Sequence, residues 1–184
     1  KIKNLSIIPS NIHLGGVEVE LVYMNSREFV IKKILDKVKD SYDYITIDCP
    51  PSLGLITINS FTASDAVIIP IQCEFFALEG LSQLMNTIRL VKMKLNAEIA
   101  IDGVVLTMCT ARNNLGRQVA EEINKFFADT VFKTTIPRNV RLAESPSYGE
   151  PIYVYDKSCL GSKAYKALTE EYFDRNKVKY VKLG

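Results

Sequence analysis

Tyr44-Ile45-Thr46-Ile47-Asp48-Cys49-Pro50-Pro51 is an apolar, β-branched run that ends in a carboxylate and two prolines. A run of this kind reads as a buried strand of a parallel sheet. At the carboxyl end of such a strand an Asp faces the crevice where α/β folds bind their ligands, and nucleotide enzymes use an Asp there to hold Mg²⁺ or its water shell. Pro50 and Pro51 fix the direction of the exit and offer no N–H donor. A second reading makes Asp48 the cap of the helix that follows, a task Ser52 could also perform.

The pattern extends outward in both directions. Short β-branched runs at Leu5 to Ile8, Tyr44 to Asp48, Ala66 to Ile71, Ile101 to Met108 and Val131 to Ile136 alternate with helical stretches. Helices are expected over Arg27 to Lys39, Leu53 to Ala63, Ala77 to Leu95, Leu115 to Ala128 and Ser162 to Arg175. In the first of these Phe29, Val30, Ile34, Leu35 and Val38 share one face and Lys32, Lys33 and Lys37 the other. Alternation of this kind predicts an α/β fold, doubly wound around a mostly parallel sheet with helices on both faces. Gly103 inside a strand run predicts a bulge or a close backbone approach. The longest irregular stretch, Pro137 to Ser158, is punctuated by Pro146, Gly149 and Pro151, and loops of that length in compact domains often carry function.

Composition sets outer limits. With 184 residues, 47% apolar and 24% charged, the chain can bury one sizeable core, and a single domain over 1–184 is the simplest organisation. A formal charge of +2 does not by itself point to nucleic acid. Cys49, Cys73, Cys109 and Cys159 are spread along the chain without a CxxC pair, and His13 is the lone histidine. Reduced, buried thiols in a cytoplasmic protein are therefore expected, and no metal set of Cys and His. No apolar stretch approaches the ~20 residues that span a bilayer, so a soluble chain is expected. His13 reads as a turn residue. Glu74, Glu79 and Gly80 sit where a helix N-terminus favours acidic residues and carry no assigned chemistry. Ser145, Ser147 and Ser158 have no neighbouring base that would make a nucleophile.

Four stretches together carry a family resemblance. Asp48-Cys-Pro-Pro-Ser-Leu-Gly-Leu-Ile-Thr-Ile-Asn-Ser60 resembles the Walker B and switch II segment of the ParA/Soj partitioning ATPases. Glu74-Phe-Phe-Ala-Leu-Glu-Gly80, Thr110-Ala-Arg-Asn-Asn-Leu-Gly-Arg-Gln-Val119 and Ile136-Pro-Arg-Asn-Val-Arg-Leu-Ala-Glu-Ser-Pro-Ser-Tyr-Gly149 follow in the family's order. The resemblance runs from about Leu5 to about Tyr172. It implies a deviant-Walker ATPase that uses ATP and Mg²⁺, forms a homodimer around two nucleotides and binds DNA without sequence preference. It further implies release by hydrolysis that a ParB/Spo0J-type protein stimulates, in the nucleoid-associated cytoplasm. Asp48 would be the catalytic Asp, ordering Mg²⁺ through water. Met108 with Pro137, Arg138 and Asn139 would form the adenine-side wall, although a Met closing an apolar strand can equally be core. Arg112 and Arg141 would meet DNA phosphates. Arg117, Lys125, Lys133 and Arg138 add charge that Glu121, Glu122, Asp129 and Glu144 largely offset.

Two elements of the family pattern, a P-loop and the Asp-rich switch I that follows it, are missing from this sequence. No KGGxGK[ST][ST] loop occurs, and Gly15-Gly16 is followed by no Gly-Lys-Ser/Thr. Two explanations stand: a C-terminal portion of a longer ATPase, which the Lys1 start favours, or a degenerate relative. This chain is expected neither to grip nor to hydrolyse ATP alone. The rival functions are a non-catalytic interaction module and a related ATPase that positions protein complexes or division inhibitors. No membrane partner is expected, and the basic tail Lys177 to Gly184 reads as a frayed terminus rather than a membrane helix.

Overall fold

The computed structural model describes residues 2–11, 14–50, 52–74, 77–109 and 114–178. In chain order they form α1 (Leu14–Val22), α2 (Val30–Leu35), α3 (Leu55–Ala63), β1 (Ala66–Gln72), α4 (Ala77–Lys94), β2 (Ala100–Thr107), α5 (Asn114–Phe127), α6 (Val140–Glu144), α7 (Ile152–Tyr155) and α8 (Leu160–Arg175). The α/β class expected from the sequence is what forms. β1 and β2 pair in parallel, joined through α4 as a parallel crossover requires. The chain divides into two compact units, one of residues 1–65 and 84–99, the other of 66–83 and 100–184.

In the first unit α3 is buried through polar side chains. Thr57, Asn59, Ser60 and Thr62 are almost fully enclosed beside Phe61. Each hydroxyl is satisfied by a backbone carbonyl: Thr57 donates to Ser52, Ser60 to Ile56 and Thr62 to Ile58. Asn59 reaches across instead. Its amide nitrogen donates to the carbonyls of Arg27 at 2.7 Å and Leu55 at 3.0 Å, and its oxygen accepts from the Ile31 N–H at 3.2 Å. That exchange ties α3 to the 3-10 turn Arg27–Phe29 and to α2. Asn96, just past α4, donates to the carbonyls of Phe61 and Ser64 and closes the other end of α3.

Two expected strands of this unit do not form. Residues 5–8 and 44–48 lie outside the sheet, and Ile7 and Ile8 are 75% and 82% exposed. A strand exists only through a hydrogen-bonded neighbour, and among the described residues the sheet consists of β1 and β2, with no bridge to 5–8 or 44–48. The helix expected over 27–39 is shorter, a 3-10 turn followed by α2.

In the second unit Gly103 has both features expected of it. The register slips between Val67 and Ile68, which face Ile101 and Gly103, so Asp102 is the extra residue of a bulge. A Cβ on Gly103 would overlap the Phe132 ring. Phe132, Val105 and Ile136 form a core on which Leu142, Ala164, Leu168 and Tyr172 pack.

The strand expected over 131–136 runs alongside β2 but is reduced to isolated bridges, and α8 shows why. The Phe132 N–H donates to the Val104 carbonyl and the Ile136 N–H to Leu106, both at 2.8 Å, so three residues intervene on one side and one on the other. The N–H groups of Lys133 and Thr134 leave the ladder and donate to the Glu171 carboxylate at 2.7 and 2.8 Å. Arg175, one turn along α8, pairs with Glu171 at 2.7 Å, donates to the carbonyls of Asp129, Thr130 and Val131, and lies over the Phe132 ring. Burial pushes the Glu171 carboxyl up, but the backbone donors of Lys133 and Thr134 and the Arg175 charge outweigh it, and the net shift is downward.

Two outcomes are expected. Asn59→Ala removes three hydrogen bonds and strands the Ile31 N–H, at a cost of about 2–3 kcal/mol, which thermal unfolding would show as a fall in Tm of roughly 5–10 °C. Glu171 has a folded-state pKa below its unfolded value. Its stabilisation is therefore complete above the ordinary glutamate range near ~4.3 and is lost as pH falls through the lower folded value. Glu171→Gln should lower Tm at neutral pH, and the gap from wild type should narrow below about pH 4.

Candidate functional site

Parallel pairing brings the carboxyl ends of β1 and β2 to one edge, where α/β folds hold ligands. Cys73 follows β1, and its N–H donates to the Thr107 carbonyl at 3.1 Å. The Thr107 hydroxyl donates to the Ile71 carbonyl at 3.3 Å. Met108 then turns the chain with a φ of 54°, in the left-handed region, which costs a non-glycine residue about 1–2 kcal/mol. Its side chain is 43% exposed. Met108 thus closes the strand without entering the core, which removes the core reading that the sequence had left open.

Beyond Met108, the Cys109 N–H donates to the Ile136 carbonyl at 3.2 Å and the Arg138 N–H to the Cys109 carbonyl at 3.3 Å. Met108 and the Pro137-Arg138-Asn139 turn, far apart in sequence, are held side by side by this exchange. Asn139 has a structural task of its own: its side-chain oxygen accepts from the Arg141 N–H at 2.9 Å and caps α6. The stretch expected to be irregular, 137–158, is built from α6, the 3-10 turn Ser145–Tyr148 and α7. Tyr148 and Tyr155 stack with ring centroids 5.1 Å apart.

Arg141 projects from α6, half exposed and paired with carboxylates. It donates to Glu144 at 2.9 Å and lies 3.6 Å from Asp156. Glu144 also accepts from the Tyr155 hydroxyl at 3.2 Å. Hydrogen bonds from the Ser158 hydroxyl, and from the Ser158 and Cys159 N–H groups, hold the Asp156 carboxyl below its usual range, aided by the Arg141 charge. Arg112 and His13 lie outside the described residues.

Asp48 belongs to the first unit and is exposed, seven residues before the start of α3. Among the described residues no cluster of His, Cys, Asp and Glu could hold a metal ion, and no helix is long and apolar enough to cross a membrane. The four cysteines are free thiols, but Cys73 alone is buried and the rest are half-buried. The residues present suit the base end of a nucleotide, with an exposed Met beside the bridged 137–139 segment. They do not suit the phosphate end, for which the sequence offers no glycine-rich Lys-Ser/Thr loop.

Parallel strands linked through a helix define an α/β chain. Solved structures agree. The ATP complex of a Cyanothece McdA variant superposes with a TM-score of 0.79 at 18% identity, over 95% of this chain and 66% of that one, a likeness of fold alone. Cobyrinic acid a,c-diamide synthase from Mycobacterium smegmatis with bound ADP and magnesium gives 0.66 at 32% identity, over 77% and 63%. Residues 1–101 match the family described as the AAA domain.

The chain belongs to the ParA/Soj family of partitioning ATPases. It is 58% identical to the sporulation initiation inhibitor protein Soj of Bacillus subtilis over 92% of this chain and 67% of that protein. It is 47% identical to the chromosome-partitioning ATPase Soj of Treponema pallidum over 95% and 69%. The chain thus spans about two-thirds of the length of these relatives.

The left-handed turn yields a prediction. Met108→Gly removes the steric cost of that conformation, whereas Met108→Val places a β-branched side chain in it. Denaturant unfolding should find the Val variant less stable than the Gly variant by about 1–2 kcal/mol, although Val retains more apolar surface.

Proposed function

We propose that this chain is the part of a chromosome- or plasmid-partitioning ATPase that presents the base-side wall of the nucleotide site and the DNA-facing arginines. The observation that carries the reading is the 58% identity to Soj over 92% of the chain. Residues 1–184 act as one α/β domain in this reading. The exposed Met108 side chain and the backbone of Pro137, Arg138 and Asn139 would flank adenine through apolar and main-chain contacts. Asp48, at the entry to α3, would order the water shell of Mg²⁺. When bound, ATP with Mg²⁺ supplies the phosphoryl group whose hydrolysis resets the switch.

DNA binding falls to Arg112 and Arg141, in a homodimer formed around two nucleotides. Phosphate contacts by arginine give affinity without reading sequence, and they weaken steeply with salt. Glu144 and Asp156 already neutralise Arg141, so a phosphate must take their place. Exposed pairs of this kind are worth little, which makes the exchange easy. Alignment of two copies supplies the multiple contacts that one arginine lacks. A ParB/Spo0J-type protein would stimulate hydrolysis and release the DNA, and the setting would be the cytoplasm at the nucleoid.

The test is retention of non-specific DNA by the full-length protein with ATP, at several salt concentrations, with this chain alongside. The full-length protein should hold DNA only with ATP, and this chain should not. Arg141→Ala should abolish most of the retention and flatten its salt dependence. Unchanged retention by that variant would remove Arg141 from the DNA surface.

A further inference from the structure

Cys73 and Cys109 are 36 residues apart in sequence, yet their sulfurs lie 2.8 Å from each other. Adjacent parallel strands run about 4.8 Å apart, within the Cα separation that a disulfide spans, and the sulfurs are already within an ångström of the ~2.05 Å bonded length. Both residues are fixed by backbone bonds. Cys73 is held by the Thr107 carbonyl, and Cys109 by the Ile136 carbonyl and the Arg138 N–H. The two thiols differ in access: Cys73 is buried and Cys109 half-buried. Burial pushes the Cys73 thiol up to about 12, helped by its hydrogen bond with Cys109, so Cys73 stays protonated until its neighbour reacts. The other cysteines are placed differently. Cys159 caps α8 by accepting from the Ser162 N–H, and Cys49 belongs to the other unit.

We propose that Cys73 and Cys109 form a reversible disulfide under peroxide, a modification site that clips the ends of β1 and β2 together across the Met108 turn. The Cys109 thiolate attacks one peroxide oxygen, giving a sulfenic acid and releasing hydroxide. Cys73 then attacks the sulfenic sulfur, its proton passes to the departing hydroxide, and water leaves as the S–S bond forms. Two thiols lose two electrons and two protons in all, and one hydrogen peroxide becomes two waters. Disulfides in a reducing compartment are characteristically transient and redox-sensing, which suits a pair that a dithiol reagent can reopen. The clip would also fix the 136–138 segment, which Cys109 holds through both of its backbone groups. This last consequence, a change in nucleotide binding, rests on the function proposed above; the clip itself rests on the thiol geometry.

The experiment treats the chain with stoichiometric hydrogen peroxide, alkylates the remaining thiols and maps cross-links by peptide mass spectrometry. Two of the four cysteines should resist alkylation, joined as Cys73–Cys109, and dithiothreitol should restore both. Cys73→Ser and Cys109→Ser should each abolish the cross-link, while Cys159→Ser leaves it intact. Hydrogen exchange at the Cys109 and Arg138 amides should slow several-fold on oxidation. Four alkylatable thiols after oxidation, a cross-link through another cysteine, or over-oxidation of Cys109 without a cross-link would overturn the site. A cross-link with unchanged exchange would overturn the clamp on 136–138. If the clip forms but the reduced full-length protein binds no ATP analogue, the nucleotide reading fails and the clip stands.

Discussion

Glu171 and Arg175, one turn apart on α8, determine where the segment after α5 can lie. The Glu171 carboxylate accepts the two N–H groups that Lys133 and Thr134 withdraw from the ladder, and Arg175 takes the carbonyls on the other side while covering Phe132. Charge-assisted bonds of this kind are stronger than the neutral ladder bonds they replace, although partial exposure reduces the difference. The irregularity at 133–135 is therefore stabilised rather than tolerated, and it brings Ile136 back into register with Leu106. The placement of Pro137, Arg138 and Asn139 beside Met108 follows from that return.

The same economy of backbone groups appears in the first unit. A helix as polar as α3 would ordinarily face water. Here its hydroxyls are absorbed by the carbonyls of its own preceding turn, and Asn59 spends its amide on two neighbouring segments. The helix that follows Asp48 is thus anchored at one fixed position by directional bonds, which apolar packing alone would leave free to rotate.

Family membership and local geometry bear on function from different sides. Identity to partitioning ATPases fixes the class of machine. The structure adds how the pieces are held: a left-handed Met at a strand end, an Asn spent on capping α6, and an Arg already engaged by two carboxylates. Exposed pairs of this kind contribute little to stability, so the two carboxylates position Arg141 without anchoring the fold. The carboxyl edge of the parallel pair also gathers the two thiols, so the turn expected to face a nucleotide also carries a redox-active pair.

Much of the second unit was legible in the sequence. The β-branched runs before and after α4 gave β1 and β2 nearly to the residue, and the helical periods gave α3, α4, α5 and α8. Gly103 announced both its bulge and its close approach, because a missing side chain inside a strand run has few other uses. The motif beginning at Asp48 and the one ending at Gly149 carried the family, since a motif records which residue types must recur in order. What the sequence could not determine was pairing. Residues 5–8 and 44–48 have strand composition but no place in the sheet, because a strand is made by its neighbour and not by its own side chains. Likewise Cys73 and Cys109 read as isolated thiols until the parallel register put them in contact, and nothing in the sequence singled out Glu171, whose partners at 133–134 lie 38 and 37 residues away. Local propensity and motif are written in consecutive residues, whereas register, clasp and thiol contact depend on which distant backbone groups find each other, and only the tertiary structure decides that.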